Sequence, residues 1–122
     1  MLSHHKQDRG TLSYVDFSDL KFDPKRMYYI TGVPKGEVRG KHGHYRDQQC
    51  LICIQGKIKV VMISKDAREE KVLSPGDHAF LDNMVWGEQE YLTGDDIMLV
   101  LCSTRFDKND YITDIDEILD PK

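Results

Sequence analysis

The residue types most able to do chemistry are concentrated in one run, Arg39-Gly40-Lys41-His42-Gly43-His44. Two of the chain's five histidines stand there two residues apart, with an arginine three residues before the first. On a β-strand, positions i and i+2 point to the same face, so His42 and His44 present both imidazoles to one compartment. Imidazole exchanges a proton near neutral pH and is also a common metal ligand. The pair can bind a metal, move protons, or line a wall as ordinary polar residues. A same-face pair preceded by Arg39 on a pocket-facing strand favours acid–base work, since barrel mouths are preferred ligand sites.

Many short strands are needed to position such a pair. Residues 11–17 and 26–30 (RMYYI) read as strands, and the glycine- and proline-rich residues 31–40 form a loop that delivers the chain into the histidine run. Residues 48–54 are nearly all apolar, Gln55-Gly56 turns, and residues 57–63 (KIKVVMI) return with the alternation of a half-buried strand. Shorter strands follow at 70–73, 78–81 and 85–92, with Ser74-Pro75-Gly76-Asp77 as a tight turn. Residues 97–103 (IMLVLCS) form a buried strand, and Ile112, Ile115, Ile118 and Leu119 fall at the spacing of a short amphipathic C-terminal helix. Regular turns between short strands predict an all-β jelly-roll barrel. Residues 1–10 read as a polar, flexible N-terminal tail.

The totals narrow the function classes. The 122 residues suit one domain, spanning 1–122, with its own core. A net charge of −4 argues against a general nucleic-acid or membrane-surface binder. No segment approaches the ~20 apolar residues of a membrane span, and the first ten residues lack the apolar centre of a signal peptide. Cys50, Cys53 and Cys102 sit in apolar runs, and the odd separation of Cys50 and Cys53 puts them on opposite faces of a strand. They read as buried, reduced thiols in a cytoplasmic protein.

The spacing of the chemical residues is similar to the cupin pattern. His42-x-His44, four residues, Gln49, six residues and Gly56 follow the first cupin motif, except that Gln49 stands where the pattern has glutamate. Pro75-Gly76-Asp77 and the segment to Trp86 follow the second, except that Gly87 stands where the pattern has histidine. A cupin metal site uses three histidines and a carboxylate, and catalytic metals keep at least three protein ligands. With the carboxylate replaced by an amide and the third histidine missing, the expectation is no metal and no cofactor.

The chain also resembles the nucleotide-sugar 3,4-ketoisomerases, a family of metal-free cupins. The matching stretches are Asp8-Arg9-Gly10 with Leu12, Arg26-Met27-Tyr28-Tyr29-Ile30, Arg39–His44, Gln49 to Gly56, Trp86 with Glu88, Leu99-Val100-Leu101 and Asp110-Tyr111-Ile112. The resemblance implies an isomerase that moves the keto group of a dTDP-4-keto-6-deoxyhexose from C4 to C3 through an enediolate. It also implies a homodimer with exchanged N-terminal strands, working in deoxyamino-sugar biosynthesis for bacterial surface glycans. On this resemblance His44 is the expected base, His42 its proton-shuttling partner and Tyr29 an acid or orienting hydroxyl. Arg39, Arg9, Gln49 and Trp86 are the expected substrate contacts. A 3,5-epimerase and a non-catalytic nucleotide-sugar binder are the alternatives, the second made credible by Gly87.

Overall fold

Alternation of apolar and polar residues builds two facing antiparallel sheets. The computed structural model describes residues 2–121. Its strands are β1 (Leu2–Gln7), β2 (Gly10–Val15), β3 (Arg26–Ile30), β4 (Val38–His44), β5 (Gln49–Gln55), β6 (Ile58–Ile63), β7 (Arg68–Leu73), β8 (His78–Leu81), β9 (Trp86–Tyr91), β10 (Ile97–Cys102) and β11 (Tyr111–Ile112), followed by the helix α1 (Asp116–Leu119). One sheet has the order β3-β10-β5-β8, the other β11-β4-β9-β6-β7, and among the described residues β1 pairs only with β2. This is an all-β jelly-roll arrangement whose sheets stay separate in hydrogen bonding, rather than a continuous barrel.

The core lies between the two sheets. Leu51, Cys53, Met98, Val100, Ala79 and Leu81 come from one sheet, and Ile58, Val60, Leu73 and Tyr91 from the other. All ten are buried, and inward positions alternate with outward ones along each strand. The outward residues Cys50, Ile52 and Leu101 form a second cluster, covered by Leu2, Val15, Leu20 and Phe22. Free Cys50, Cys53 and Cys102 are all buried, and burial pushes Cys50 and Cys53 up to about 11, which keeps them as thiols.

Two terminal expectations need correction. Residues 2–7, expected as part of a flexible tail, form β1, registered against β2 from Leu2↔Val15 to Gln7↔Gly10. β1 is mostly exposed on both faces, so its polar sequence carries no apolar alternation to reveal it, whereas β2 falls within the strand expected at 11–17 apart from its first residue. At the other end, the expected helix shrinks to α1. Ile112 is drawn instead into the ladder of β11 against Gly43 of β4. Ile118 and Ile112 are buried against Trp86, which fixes the tail to the sheet.

Candidate active site

A bulge in β4 sets the site. The register runs Arg39↔Gln89, Gly40↔Glu88 and His42↔Gly87, with a shift between Gly40 and His42. At this bulge Gly40 (φ 88°) and Lys41 (φ 59°) both have positive φ, the backbone region that glycine enters most readily. At Gly40 a Cβ would also lie 2.9 Å from the Gly87 carbonyl oxygen, so glycine is needed twice over. Without the extra residue, Arg39 and His42, three apart, would face opposite ways. With it, both face the space between the sheets, beside Gln89 and Gly87.

A cavity of about 380 Å³ opens there. Its walls include Arg39 and His42 from β4, Arg26 and Tyr28 from β3, Gln49 from β5, Gln89 from β9 and Tyr111 from β11. His44 lies behind this wall, 2% exposed. The His42 and His44 ring centroids are 5.1 Å apart, and the Tyr111 ring is 5.0 Å from the first and 4.7 Å from the second. A larger surface depression of about 750 Å³ lies beside α1, lined by Tyr45, Met84, Asp114, Asp116, Glu117 and Asp120. It offers no imidazole, and its carboxylates repel an anionic ligand, so the smaller cavity is the better site.

Burial sets the protonation of the pair. His42 is pushed down to about 4, first by desolvation and then by the neighbouring His44 and Arg39. His44 is also lowered, again chiefly by desolvation, with Arg26 adding to it and the Asp47 and Asp110 carboxylates opposing. Both rings are therefore neutral at pH 7. Nδ1 of His42 and Nε2 of His44 are buried without a hydrogen-bond partner among the described residues. A neutral, underbonded imidazole at a cavity wall is a competent proton acceptor.

The sequence-based candidates divide into two groups. His42, Arg39 and Gln49 are brought together at the cavity, with His44 directly behind. Trp86 is not part of it: it is 7% exposed, faces away from Gly87, donates Nε1–H to Glu88 Oε2 at 2.9 Å and packs on Ile112 and Ile118. Tyr29 borders the cavity rim, but strand alternation turns it to the face opposite Tyr28, and it is 66% exposed. Arg9 sits in the exposed β1–β2 turn, off the cavity. Sequence reasoning passed over Arg26, Tyr28, Gln89 and Tyr111. Alternation from Gly87 could have flagged Gln89, whereas Tyr111 enters only through the β11–β4 pairing.

Comparison with known proteins shows the family. The family described as FdtA: WxcM-like, C-terminal matches residues 1–122. The chain belongs to the FdtA family. A relative from Aneurinibacillus thermoaerophilus, TDP-4-oxo-6-deoxy-alpha-D-glucose-3,4-oxoisomerase, is 33% identical over 110 residues, covering 88% of this chain and 79% of its own. QdtA, a sugar 3,4-ketoisomerase from Thermoanaerobacterium thermosaccharolyticum solved in complex with TDP, superposes with a TM-score of 0.89 at 33% identity, over 98% of this chain and 88% of that one. A 3,4-ketoisomerase from Helicobacter canadensis gives 0.88 at 28% identity, over 97% and 90%.

Within this FdtA-family chain, the donor set does not suit the metal of a cupin site. Gln49 gives its Nε2–H to Asp47 Oδ2, 3.0 Å away, and so offers the pocket only a neutral amide oxygen where a cupin site has an anionic carboxylate. Position 87 has no side chain, and a Cβ there would meet Leu81 Cδ2 at 2.8 Å. Among the described residues no three His, Cys, Asp or Glu side chains converge.

Proposed function

We propose that this chain is a TDP-sugar 3,4-ketoisomerase that moves the carbonyl of a TDP-4-keto-6-deoxyhexose from C4 to C3. The observation that carries the reading is a neutral imidazole pair at a cavity wall shared with Arg39, Arg26 and Gln49. His42 takes the proton from C3 and His44 is its proton partner, an order opposite to the one expected from sequence and supported by His42 lining the cavity while His44 lies behind it. Electrons from the C3–H bond move into the C3–C4 bond and onto O4, giving an enediolate. Arg26 and Arg39 supply positive charge for that oxygen, which is worth most in a site shielded from water. Protonation at C4 and transfer of the O3 proton to O4 complete the transposition, with no net oxidation. Tyr28, not Tyr29, supplies the phenol at the wall. Burial pushes its pKa up, so it acts as a hydrogen-bond donor.

The outer face supports a homodimer that exchanges its N-terminal strands. Leu12, Phe17, Met27 and Tyr29 are each more than half exposed around the β1–β2 hairpin. A groove of about 390 Å³ separates that hairpin from Met27, Ile54 and Leu99. Burying this patch against a second copy offsets its exposure to water. In such a dimer Arg9 serves the substrate only across the interface. The enzyme then works in the cytoplasm, in deoxyamino-sugar biosynthesis for surface glycans.

Incubation with the TDP-4-keto sugar in deuterated water, followed by NMR, tests the reading. Deuterium at C4 of a new 3-keto product, with exchange at C3 of the returned 4-keto sugar, supports it. Label at C5 makes the chain a 3,5-epimerase, and binding without any exchange makes it a non-catalytic binder.

A further inference from the structure

One buried carboxylate at the cavity has no part in the proton transfers just described. Asp47 lies in the short connection between β4 and β5 and is 1% exposed. Its Oδ2 accepts from Arg26 Nη2 at 3.1 Å and from Gln49 Nε2 at 3.0 Å. Its Oδ1 accepts from Thr104 N at 3.0 Å, Thr104 Oγ1 at 2.9 Å and Ser103 Oγ at 3.3 Å. The connection is itself tied down, because Asp110 accepts from the backbone N–H groups of Arg46 and Asp47 at 2.9 and 3.0 Å. Asp47 is thus a fixed anion, and two of the five groups it holds line the cavity.

The register explains why it reaches both. Arg26 pairs with Cys102, and Cys102 pairs with Gln49, so the three stand side by side across β3, β10 and β5. Asp47 sits at the end of that row. An ionised carboxylate only accepts hydrogen bonds, so the Gln49 amide must turn its NH₂ toward Asp47. Its carbonyl oxygen is left for the cavity.

We infer that Asp47 is a positioning residue for this pocket, holding the Arg26 guanidinium in the wall and turning Gln49 so that it presents an acceptor to a sugar hydroxyl. The same contact dictates an amide at position 49. A glutamate there would set two carboxylates about 3 Å apart, and such a pair cannot both ionise. Asp47 therefore keeps the residue that follows the cupin spacing from serving as an anionic ligand. For turnover, the inference rests on the ketoisomerase reading; for the pairing itself, it does not.

Two experiments separate those parts. With the TDP-4-keto sugar as substrate, Asp47→Asn should lower kcat by about 100-fold, the loss that a misplacement near 1 Å produces, with little change in KM. In an Arg26→Met/Gln49→Ala background the same substitution should cause no further loss. Thr104→Val, which removes one hydrogen bond from Asp47 and leaves its charge, should retain turnover. A Thr104→Val loss equal to that of Asp47→Asn, or full additivity in the double background, would overturn the positioning role. Urea unfolding of the free protein reads the pairing even if the wild type turns over nothing. Gln49→Glu should lower the unfolding midpoint at pH 7 and recover as the medium is acidified, and Asp47→Asn/Gln49→Glu should remove that pH dependence. A Gln49→Glu midpoint unchanged at pH 7 would refute the pairing.

Discussion

Replacing Gly87 by histidine should destabilise the protein, and trimming Leu81 should relieve the damage. Gly87 lies opposite His42 on one side and Met62 on the other, facing the interior. A Cβ at this position falls 2.8 Å from Leu81 Cδ2 and 3.2 Å from Cδ1. Carbon atoms pack best about 3.5–4.0 Å apart, so the leucine must retreat by roughly 1 Å before the imidazole is placed. Leu81 is 2% exposed and held in the inner core, so its methyl groups have little free space to enter. Overpacking of this kind costs about 1–3 kcal/mol. Leu81→Ala alone should cost about 2–5 kcal/mol through the cavity it leaves. Together the two changes exchange volume, so the double variant should be more stable than the sum of the singles by about 0.5–3 kcal/mol. Urea denaturation with an unchanged m-value measures all four corners of the cycle. Additivity within about 0.5 kcal/mol would refute the claim that Leu81 fills the space of the absent side chain.

Four further outcomes are expected. Because His42 is depressed to about 4, kcat/KM should hold as the pH falls through 6.5 and decline only nearer 4; a decline centred at 6.5 would mean the ring is solvated. The same depression makes the unfolded chain bind the proton more tightly. The stability linked to His42 is therefore fully present above pH 6.5 and lost as the pH falls toward 4; His42→Asn should flatten that part of a stability-versus-pH curve. Gly43→Ala should destabilise by about 1–3 kcal/mol, since the new methyl meets the Val85 carbonyl oxygen at 3.0 Å and Ile118 Cδ1 at 2.8 Å; an unchanged Tm would show that the tail yields freely. Tyr28→Phe should slow deuterium exchange at C3 while Tyr29→Phe leaves it unchanged, and the reverse result would restore Tyr29 to the site.

Local pattern made much of this protein legible. The two-residue period placed His42 and His44 on one face, and the turns at Gly56 and Gly76 could be read from their residues; but each carries the chain from one sheet to the other, so 57–63 pairs with β7 and β9 and not back on 48–54. The amide at position 49 and the glycine at 87 were visible as departures from a cupin metal site, because ligand chemistry depends on residue type. Alternation also required Tyr28 and Tyr29 to face opposite ways.

Which of those tyrosines faced inward was a tertiary decision, because alternation fixes only that two faces differ, and packing against the second sheet chooses between them. The same holds for Trp86, whose neighbour Gly87 took the inward position and left the indole to Ile112 and Ile118. The β4 bulge could not be read from spacing, since an extra residue changes the face of everything before it. Asp47 and Tyr111 reach the site through contacts between segments distant in sequence, which no local period encodes. The sequence alone determined the chemistry available at His42 and His44; folding decided which ring meets the cavity and which charges stand around it, because burial and long-range strand pairing exist only once the sheets have closed on each other.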